Sequence, residues 1–432
     1  MPKINATPDF YFDLIPMKSP LISVSEADAL LAGQGVPYPV ETVNLASATG
    51  RVLREAIRAD REYPALDRSR MDGIAIDFAA WDRGIREFKV TGMVRAGVER
   101  GRLDDASGCV ELMTGAPVPL GADTVIPYEA LESREFGASG TATVASDATV
   151  ARGQNIHPQG SDCARGEVLV EAGERLSAVR IAAAASMGYS TLQVTRRPRI
   201  SILTTGDELV EVNETPKPHQ IRMSNGPALR ALFEAFEAGA PGLTLASVGD
   251  DEGALRASLA SALSSSDVLM VTGGVSAGKF DSVPKILQEL GVTPVFHKIA
   301  QKPGKPLWFG TGPQGQLVFG LPGNPVSALV CARRYVIPLL QAKSAAKANV
   351  GVSATSGAIP IHFPEVRTLA PSHLTRFVPV RVSIDPATGM RTAKASELNG
   401  SGDFSRLGRS DGFVEIPSLP RGEIMAFFGW ET

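Results

Sequence analysis

The 432-residue sequence predicts an α/β multidomain protein, with a three-layer α/β domain, an inserted β domain, a helical or mixed N-terminal region and a C-terminal β-barrel-like domain. Three observations support this. The length asks for about three domains. From Arg196 onward, apolar runs rich in β-formers alternate with helix-length segments, as in βαβ units. On either side of that region, at 87–150 and beyond 354, short β-rich runs are punctuated by Gly and Pro.

A net charge of −3 excludes a general nucleic-acid coat, while leaving room for a local basic pocket. No apolar run approaches the roughly 20 residues that span a bilayer. The opening stretch MPKINATPDFYFDLIPM lacks the basic-then-apolar pattern of a secretion signal, so a cytoplasmic protein without membrane contact is expected. Cys109, Cys163 and Cys331 are far apart and form no C-x-x-C pair, which argues against a disulfide framework and a structural zinc site. The histidines are equally scattered. A metal here would use Asp and Glu oxygens together with substrate phosphates, which suits magnesium or another divalent cation.

Along the chain, Ser25 and Asp28 read as a capping box for a first helix carrying Ala27, Leu30 and Leu31. Residues 42–59 predict a strand and a short helix, and Asp60 to Arg70 an exposed loop. In DRSRMDGIAID, Asp67, Ser69, Asp72 and Asp77 surround a glycine, while Ile74 and Ile76 alternate as in a strand entering a β domain. FKVTGMV, GCVELMTG, ADTVIPYEAL and TATVASDATV then predict short antiparallel strands. MTGAPVP ends one of them in a rigid turn, where Thr114 offers a hydroxyl and Gly115 permits close backbone approach. Asp162 lies in a Gly-Ser-Asp turn, and Leu176 to Met187 is an Ala-rich helix that returns the chain to its first helical region.

After Arg196-Arg197-Pro198, the strands are RISIL, LTLASVGD, VLMVTGG, PVFHKI and LVFGLP, with helices at Gly226 to Ala235 and Ala254 to Leu263. Asp250 and Asp251 fall at the carboxyl end of the second. Asn324-Pro325 caps and starts the helix VSALVCARRYVIPLL. Residues 341–354 read as a linker, and FVPVRVSID, MRTAKA, DGFVEIP and EIMAFFGW as strands of the terminal barrel. The resulting domains are 1–60 with 150–195, 61–149, 196–345 and 346–432.

Functional signals concentrate between Ser265 and Pro306. The strand Val268 to Thr272 ends in Gly273-Gly274, and in an open α/β sheet the crevice lies outside such carboxyl ends. Ser276, Lys279 and Asp281 fall there, ahead of a helix at Val283 to Leu290. Lys298, Lys302 and Lys305 follow within eight positions, in a loop restrained by Pro303, Gly304 and Pro306 that can hold ammoniums toward phosphate. Strand-then-glycine turns recur at TTGDELV and LPGNPVSAL, so several loops meet over one sheet edge and bring Asp207 and Glu208 with them. Such turns also occur in domains that bind nothing; the accompanying ionisable groups are what point to a ligand. Neither G-x-G-x-x-G nor G-x-x-x-x-G-K-[ST] is present, so a nucleotide would bind by another arrangement.

MDG at 71–73, MTGAPVP at 113–119, TTGDEL at 204–209, TGGVSAGKFD at 272–281, KPGKP at 302–306 and LPGNPVS at 321–327 form an ordered set. In these motifs the sequence resembles the molybdopterin molybdenumtransferase family, related to the E domain of gephyrin, over nearly its whole length. The resemblance implies that the α/β domain binds molybdopterin and that molybdate is inserted into adenylylated molybdopterin with release of AMP, with Mg2+ or another divalent cation present. It also implies an elongated homodimer, whose cleft lies between the α/β domain of one subunit and the β insert of the other. The molybdopterin adenylyltransferase and acceptor molybdoenzymes or their chaperones are the implied partners. Carried over by motif, Asp72, Asp162, Asp250 and Asp281 would be catalytic, and Glu208, Asp250 and Asp281 would hold the metal. Thr114, Glu208, Gly273, Gly274 and Ser276 would bind the pterin nucleotide, as would Lys298, Lys302, Lys305, Asn324 and Ser327.

Three stretches depart from the family pattern. The common D-N-S-A-M-D-G-Y-A reads Asp67-Arg68-Ser69-Arg70-Met71-Asp72-Gly73-Ile74-Ala75, and an arginine-rich G-E-D turn reads His157-Pro158-Gln159-Gly160-Ser161-Asp162. An arginine often found in the first strand of the last domain aligns with Pro379. These departures leave open an enzyme inserting tungstate and a non-catalytic molybdopterin-binding carrier or scaffold. An α/β enzyme acting on another nucleotide is a third alternative.

Overall fold

The runs Ile200–Thr205, Val268–Thr272 and Leu317–Leu321 are buried at every position, as strands covered on both faces must be. In the computed structural model, which describes residues 21–34, 37–134, 140–236, 242–275, 282–345, 357–397 and 399–431, they join Leu243–Val248 in a parallel array. The six-stranded order is 243–248, 200–205, 268–272, 317–321, 308–311, 293–297. Helices Asn225–Phe236 and Pro325–Cys331 pack Leu229, Phe233 and Val326 against Ile202, Met270 and Phe319 on one face. Helices Glu252–Ser265 and Val283–Glu289 pack Leu255, Leu259 and Ile286 against Leu203, Leu269 and Val271 on the other. The predicted three layers are present. One strand lay outside the sequence reading: Trp308–Thr311, inserted antiparallel between Thr293–His297 and Leu317–Leu321.

The chain divides into two compact units, Thr42–Gln193 and the remainder. In the remainder, the first helix is Val24–Ala32, and its capping box is Ser23 with Glu26 instead of Ser25 with Asp28. The reason lies elsewhere in the fold: Asp28 turns inward and accepts from Arg334 at 2.9 and 3.0 Å. The helix begun at Pro325 continues through a π-helical turn, Ala332–Val336, to Ser344. Residues 341–344 of the expected linker are therefore helical, and 346–354 lie outside the described residues. Asn324 occupies the cap position, but its side chain makes no capping bond and donates to Ser401 Oγ at 2.9 Å.

Arg333 and Arg334, on the π turn, are each 2 % exposed. Arg334 also bonds Glu415 of the C-terminal β domain, and Arg333 donates to the carbonyls of Gly357 and Gly429. That domain is a closed barrel of five strands, 375–384, 391–395, 359–362, 424–429 and 412–416, the last pairing back onto the first. Ile359–His362 was not predicted; the other four strands were. Phe377, Phe413 and Phe428 carry the barrel's packing into the core that contains Tyr335 and Leu339.

In the unit Thr42–Gln193, the sheet order is 124–127, 73–76, 108–112, 87–94, 141–144, 131–134. Gly73–Ile76 is buried on both sides, with Ile74 and Ile76 in one core and Ala75 in another. The expectation of antiparallel strands alone is corrected at one pair, Glu87–Val94 with Gly108–Leu112, which is parallel. Residues 95–107 are long enough to bring the chain back in the same direction, as a parallel pair requires. The expected short helix within 42–59 reduces to a 3-10 turn, Leu45–Ser47, because Leu53 N–H and Arg51 O pair with Glu174 O and Leu176 N–H and hold that run extended. Among the described residues, no helix is long and apolar enough to cross a membrane.

Breaking a buried ion pair by removing one partner is costly. Asp28→Ala is expected to destabilise its unit by about 3 kcal/mol, since Arg334 keeps only Glu415. The measurement is an earlier urea transition in the fluorescence of Trp308 and Trp430, which both lie in this unit.

Candidate functional site

The strand ends set the site's position. Thr204 pairs with Thr272 and Thr272 with Leu321, so three carboxyl termini finish in one row. The strand Ile200–Thr205 connects onward to a neighbour on one side, while Val268–Thr272 flanks it on the other; this is a topological switch point, where a crevice opens. Gly273, at φ +93°, lets the turn pass against the Thr205 carbonyl, which any Cβ would strike. A cavity of about 850 Å³ lies over this edge.

The basic loop forms another wall. Its residues Gln301–Lys302 add a short parallel strand to the barrel, placing Gln301 beside Thr375 and Lys302 beside Arg376. From behind, the fully buried Gln301 amide donates to the Gly304 carbonyl at 3.1 Å and receives the Tyr335 hydroxyl. Gly304, at φ +91°, has no room for a Cβ against Cys331 Sγ and Gln301 Nε2. Burial pushes the Cys331 thiol up to about 12, so it packs the loop as an uncharged group.

Seven of the sequence-derived residues line this cavity: Glu208, Gly273, Gly274, Lys302, Lys305, Asn324 and Ser327. Lys298 and Asp250 are not among its lining residues. Lys298, at φ +70°, ties the loop through its backbone, donating to Leu307 O and accepting from Ile22 N–H. Asp250 donates its N–H to Asp207 Oδ1 at 2.9 Å. Ser276, Lys279 and Asp281 lie outside the described residues. Among the described residues, no three His, Cys, Asp or Glu side chains gather closely enough to hold a metal ion by themselves.

The cavity also contains residues that the sequence reading passed over. Thr205 Oγ1, Asn225 Oδ1, Arg376 Nε and Ser396 Oγ are buried, and none has a hydrogen-bond partner among the described residues. All four residues line the same cavity. Buried polar atoms are seldom left unpaired, so four on the walls of one cavity are candidates for bonding to a polar ligand or to ordered water. Arg376 also bears on an apparent loss: the sequence reading places Pro379 where the family often has an arginine, and both residues line the cavity from the strand Thr375–Ile384.

Asp72, Thr114 and Asp162 belong to the other unit. Asp72 Oδ1 accepts from the Thr114 N–H at 2.6 Å and from its hydroxyl at 2.7 Å. First the backbone bond and then the hydroxyl hold the Asp72 carboxyl below its ordinary value. Asp162 Oδ1 lies 2.7 Å from His157 Nε2. His157 stands opposite Arg68 in a short antiparallel pair, and Ser69 is buried while Arg68 and Arg70 are exposed.

Residues 22–188 match the family described as the MoeA N-terminal region (domain I and II), and residues 201–342 match a probable molybdopterin binding domain. The chain is 35% identical over 416 residues to the molybdopterin molybdenumtransferase of Synechocystis sp., covering 95% of this chain and 100% of that protein. The enzyme of the same name from Bacillus subtilis is 32% identical, over 88% of this chain and 87% of its own. Two crystal structures of a molybdopterin biosynthesis moeA protein from Pyrococcus horikoshii are 26% identical, with TM-scores of 0.75 and 0.72. They cover 96% and 95% of this chain and all of theirs.

The Asp72 bonding has a titration consequence. Its folded pKa is depressed, so its stabilising contribution holds at neutral pH and is lost as pH falls through that depressed value. Thr114→Val keeps the N–H and removes the hydroxyl, so the midpoint is expected to rise toward the ordinary 3.8, read by carbon NMR of labelled carboxylates.

Proposed function

The chain belongs to the molybdopterin molybdenumtransferase family, and on that premise we propose that it inserts molybdenum from molybdate into adenylylated molybdopterin and releases AMP. The observation that carries this reading is the pairing of Lys302 with Arg376, with Lys305 close by in sequence, in a cavity that also holds unpartnered polar atoms. Like charges side by side are destabilising by themselves; an anion rich in phosphate and oxo groups reverses that sign. Substrate phosphates and molybdate are such anions. In this proposal Lys302, Lys305 and Arg376 neutralise and orient them, while Ser396 and Ser327 supply hydroxyls at the same walls. Gly273 and Gly274 allow the ligand to approach the backbone, and Asn324, held by Ser401, borders it.

Magnesium fits this site in one manner. Glu208 is a carboxylate on the cavity wall, and Mg2+ commonly combines one or two carboxylates with substrate phosphates and water. When bound, the cation would offset phosphate charge and polarise the phosphoanhydride. Asp250 and Asp281 remain in the proposed metal set, and Asp72 and Asp162 in the proposed catalytic set, on the strength of their motifs. We take the protein to act in the cytoplasm as a homodimer, in which Asp72, Thr114 and Asp162 of one subunit complete the cleft of its partner. The domains 1–60 with 150–195, 61–149, 196–345 and 346–432 are the assignment that accompanies this reading. The adenylyltransferase that makes the substrate and the molybdoenzymes or chaperones that accept the product are its proposed partners.

Incubation with adenylylated molybdopterin, molybdate and magnesium tests the activity. AMP release with reconstitution of a cofactor-free molybdoenzyme is expected; tight binding without either product would identify a carrier instead, and a product made only with tungstate would reassign the oxyanion. Lys302→Gln and Arg376→Gln are each expected to raise the KM for the pterin nucleotide about tenfold or more with little change in melting, since charge-assisted bonds contribute about 1.5–3 kcal/mol.

A further inference from the structure

We propose that Asn225 is a specificity-determining residue, whose Oδ1 accepts an amino N–H from the heterocycle of the bound ligand. The inference rests on the cavity reading given above and assigns the non-ionic part of the ligand. Asn225 Nδ2 donates to the Gly323 carbonyl at 2.7 Å. That bond decides which way the amide faces, because the flipped group would set its oxygen against another oxygen. Oδ1 is thereby left buried with no donor to it among the described residues, on a residue that lines the cavity.

An amide oxygen only accepts. It repels phosphate and molybdate oxygens, which suit Lys302, Lys305 and Arg376 instead. Its complement must be a donor, and in an adenylylated pterin the donors are the heterocycle N–H groups and the sugar hydroxyls; the second buried group on this cavity favours the former. Thr205 Oγ1, also buried and unpartnered among the described residues, lines the same cavity and can donate to a ring nitrogen or accept a second N–H. An acceptor and a hydroxyl together suit an edge on which an amino group adjoins a ring nitrogen. Adenine and pterin both present that edge, so the shared chemistry is an aminated heterocycle.

Calorimetric titration of the full chain with two ligand pairs separates the sources. One pair is AMP and purine riboside 5′-monophosphate; the other is 6-hydroxymethylpterin and 6-hydroxymethyllumazine, each pair differing at an amino group. In one pair the aminated member is expected to bind about tenfold tighter, because its loss leaves the acceptor unpaired. A preference in the first pair places adenine at Asn225, and one in the second places the pterin there. Asn225→Leu is expected to erase the preference, while Lys302→Gln weakens AMP and its analogue equally and preserves it. Equal binding within both pairs by the unaltered protein overturns the assignment, whether or not the Leu variant folds, as does a preference that survives Asn225→Leu. Failure of all four ligands to bind overturns the reading of the cavity itself, and this inference with it.

Discussion

A two-residue ladder, Gln301–Lys302 against Thr375–Arg376, joins the α/β domain to the barrel and fixes the basic loop. The loop's own sequence restricts it, since Pro303 and Pro306 limit φ. The ladder then decides where it points. Behind it, Gln301, Tyr335 and Cys331 form a buried bracket around the Gly304 carbonyl. The arrangement holds Lys302 beside Arg376, a juxtaposition that opposes folding and that the surrounding packing has to offset. Strain of this kind is retained where a ligand relieves it.

That constraint depends on the barrel being held against the helix Pro325–Ser344. Two consecutive arginines do this in different ways. Arg334 is compensated by Asp28 and Glu415, each from a different part of the chain. Arg333 has carbonyl partners and the rings of Phe236 and Phe428 at 4.4 and 5.5 Å, and burial lowers its pKa to about 10, still well above neutrality. The π turn puts both guanidiniums inside at adjacent positions, which a regular helix rotating 100° per residue does less readily. The barrel strand that carries Arg376 is thereby fixed to the same element whose first turn carries Ser327 and borders the cavity.

The sequence made the βαβ alternation legible because Ile200–Thr205, Val268–Thr272 and Leu317–Leu321 are continuous apolar runs bounded by glycine turns. The basic loop was legible for the same reason: its lysines and prolines are local signals. Trp308–Thr311 was hidden because only Leu307 separates it from KPGKP and it contains a glycine, so it reads as more loop. The true cap at Ser23 lost to Ser25 because Asp28, three residues on, looked like a capping partner, whereas its partner Arg334 lies 306 residues away. The same limit applies to Thr205, Asn225, Arg376 and Ser396. Their importance comes from being buried without partners on one cavity, and no spacing along the chain encodes that. Arg376 escapes notice for a further reason: in the sequence the family's arginine on that strand reads as lost at Pro379, and the arginine three residues earlier is not weighed in its place.

Three carboxylates of the unit Thr42–Gln193, Asp67, Asp72 and Asp162, are bonded in ways that bear on how acidic groups can serve an anionic substrate. Asp72 accepts twice through Oδ1, Asp162 meets His157 through Oδ1, and Asp67 Oδ1 accepts the Gln159 N–H at 2.9 Å. For Asp72 and Asp162 no hydrogen bond to the second oxygen is found among the described residues, whereas Asp67 Oδ2 also faces Arg100 at 3.6 Å. Hydrogen bonding also keeps Asp72 ionised well into the acid range, so at neutral pH it meets any ligand as an anion. A pre-oriented carboxylate facing phosphate would repel it, and the cost grows as water is excluded. Only a proton, a cation or a donor on the ligand turns that contact favourable. The heterocycle amino groups and a divalent cation are two such sources. Carboxylates held in this way are complementary to amino groups or to a divalent cation and not to oxyanions, which in the proposed reading fall to the lysines and Arg376.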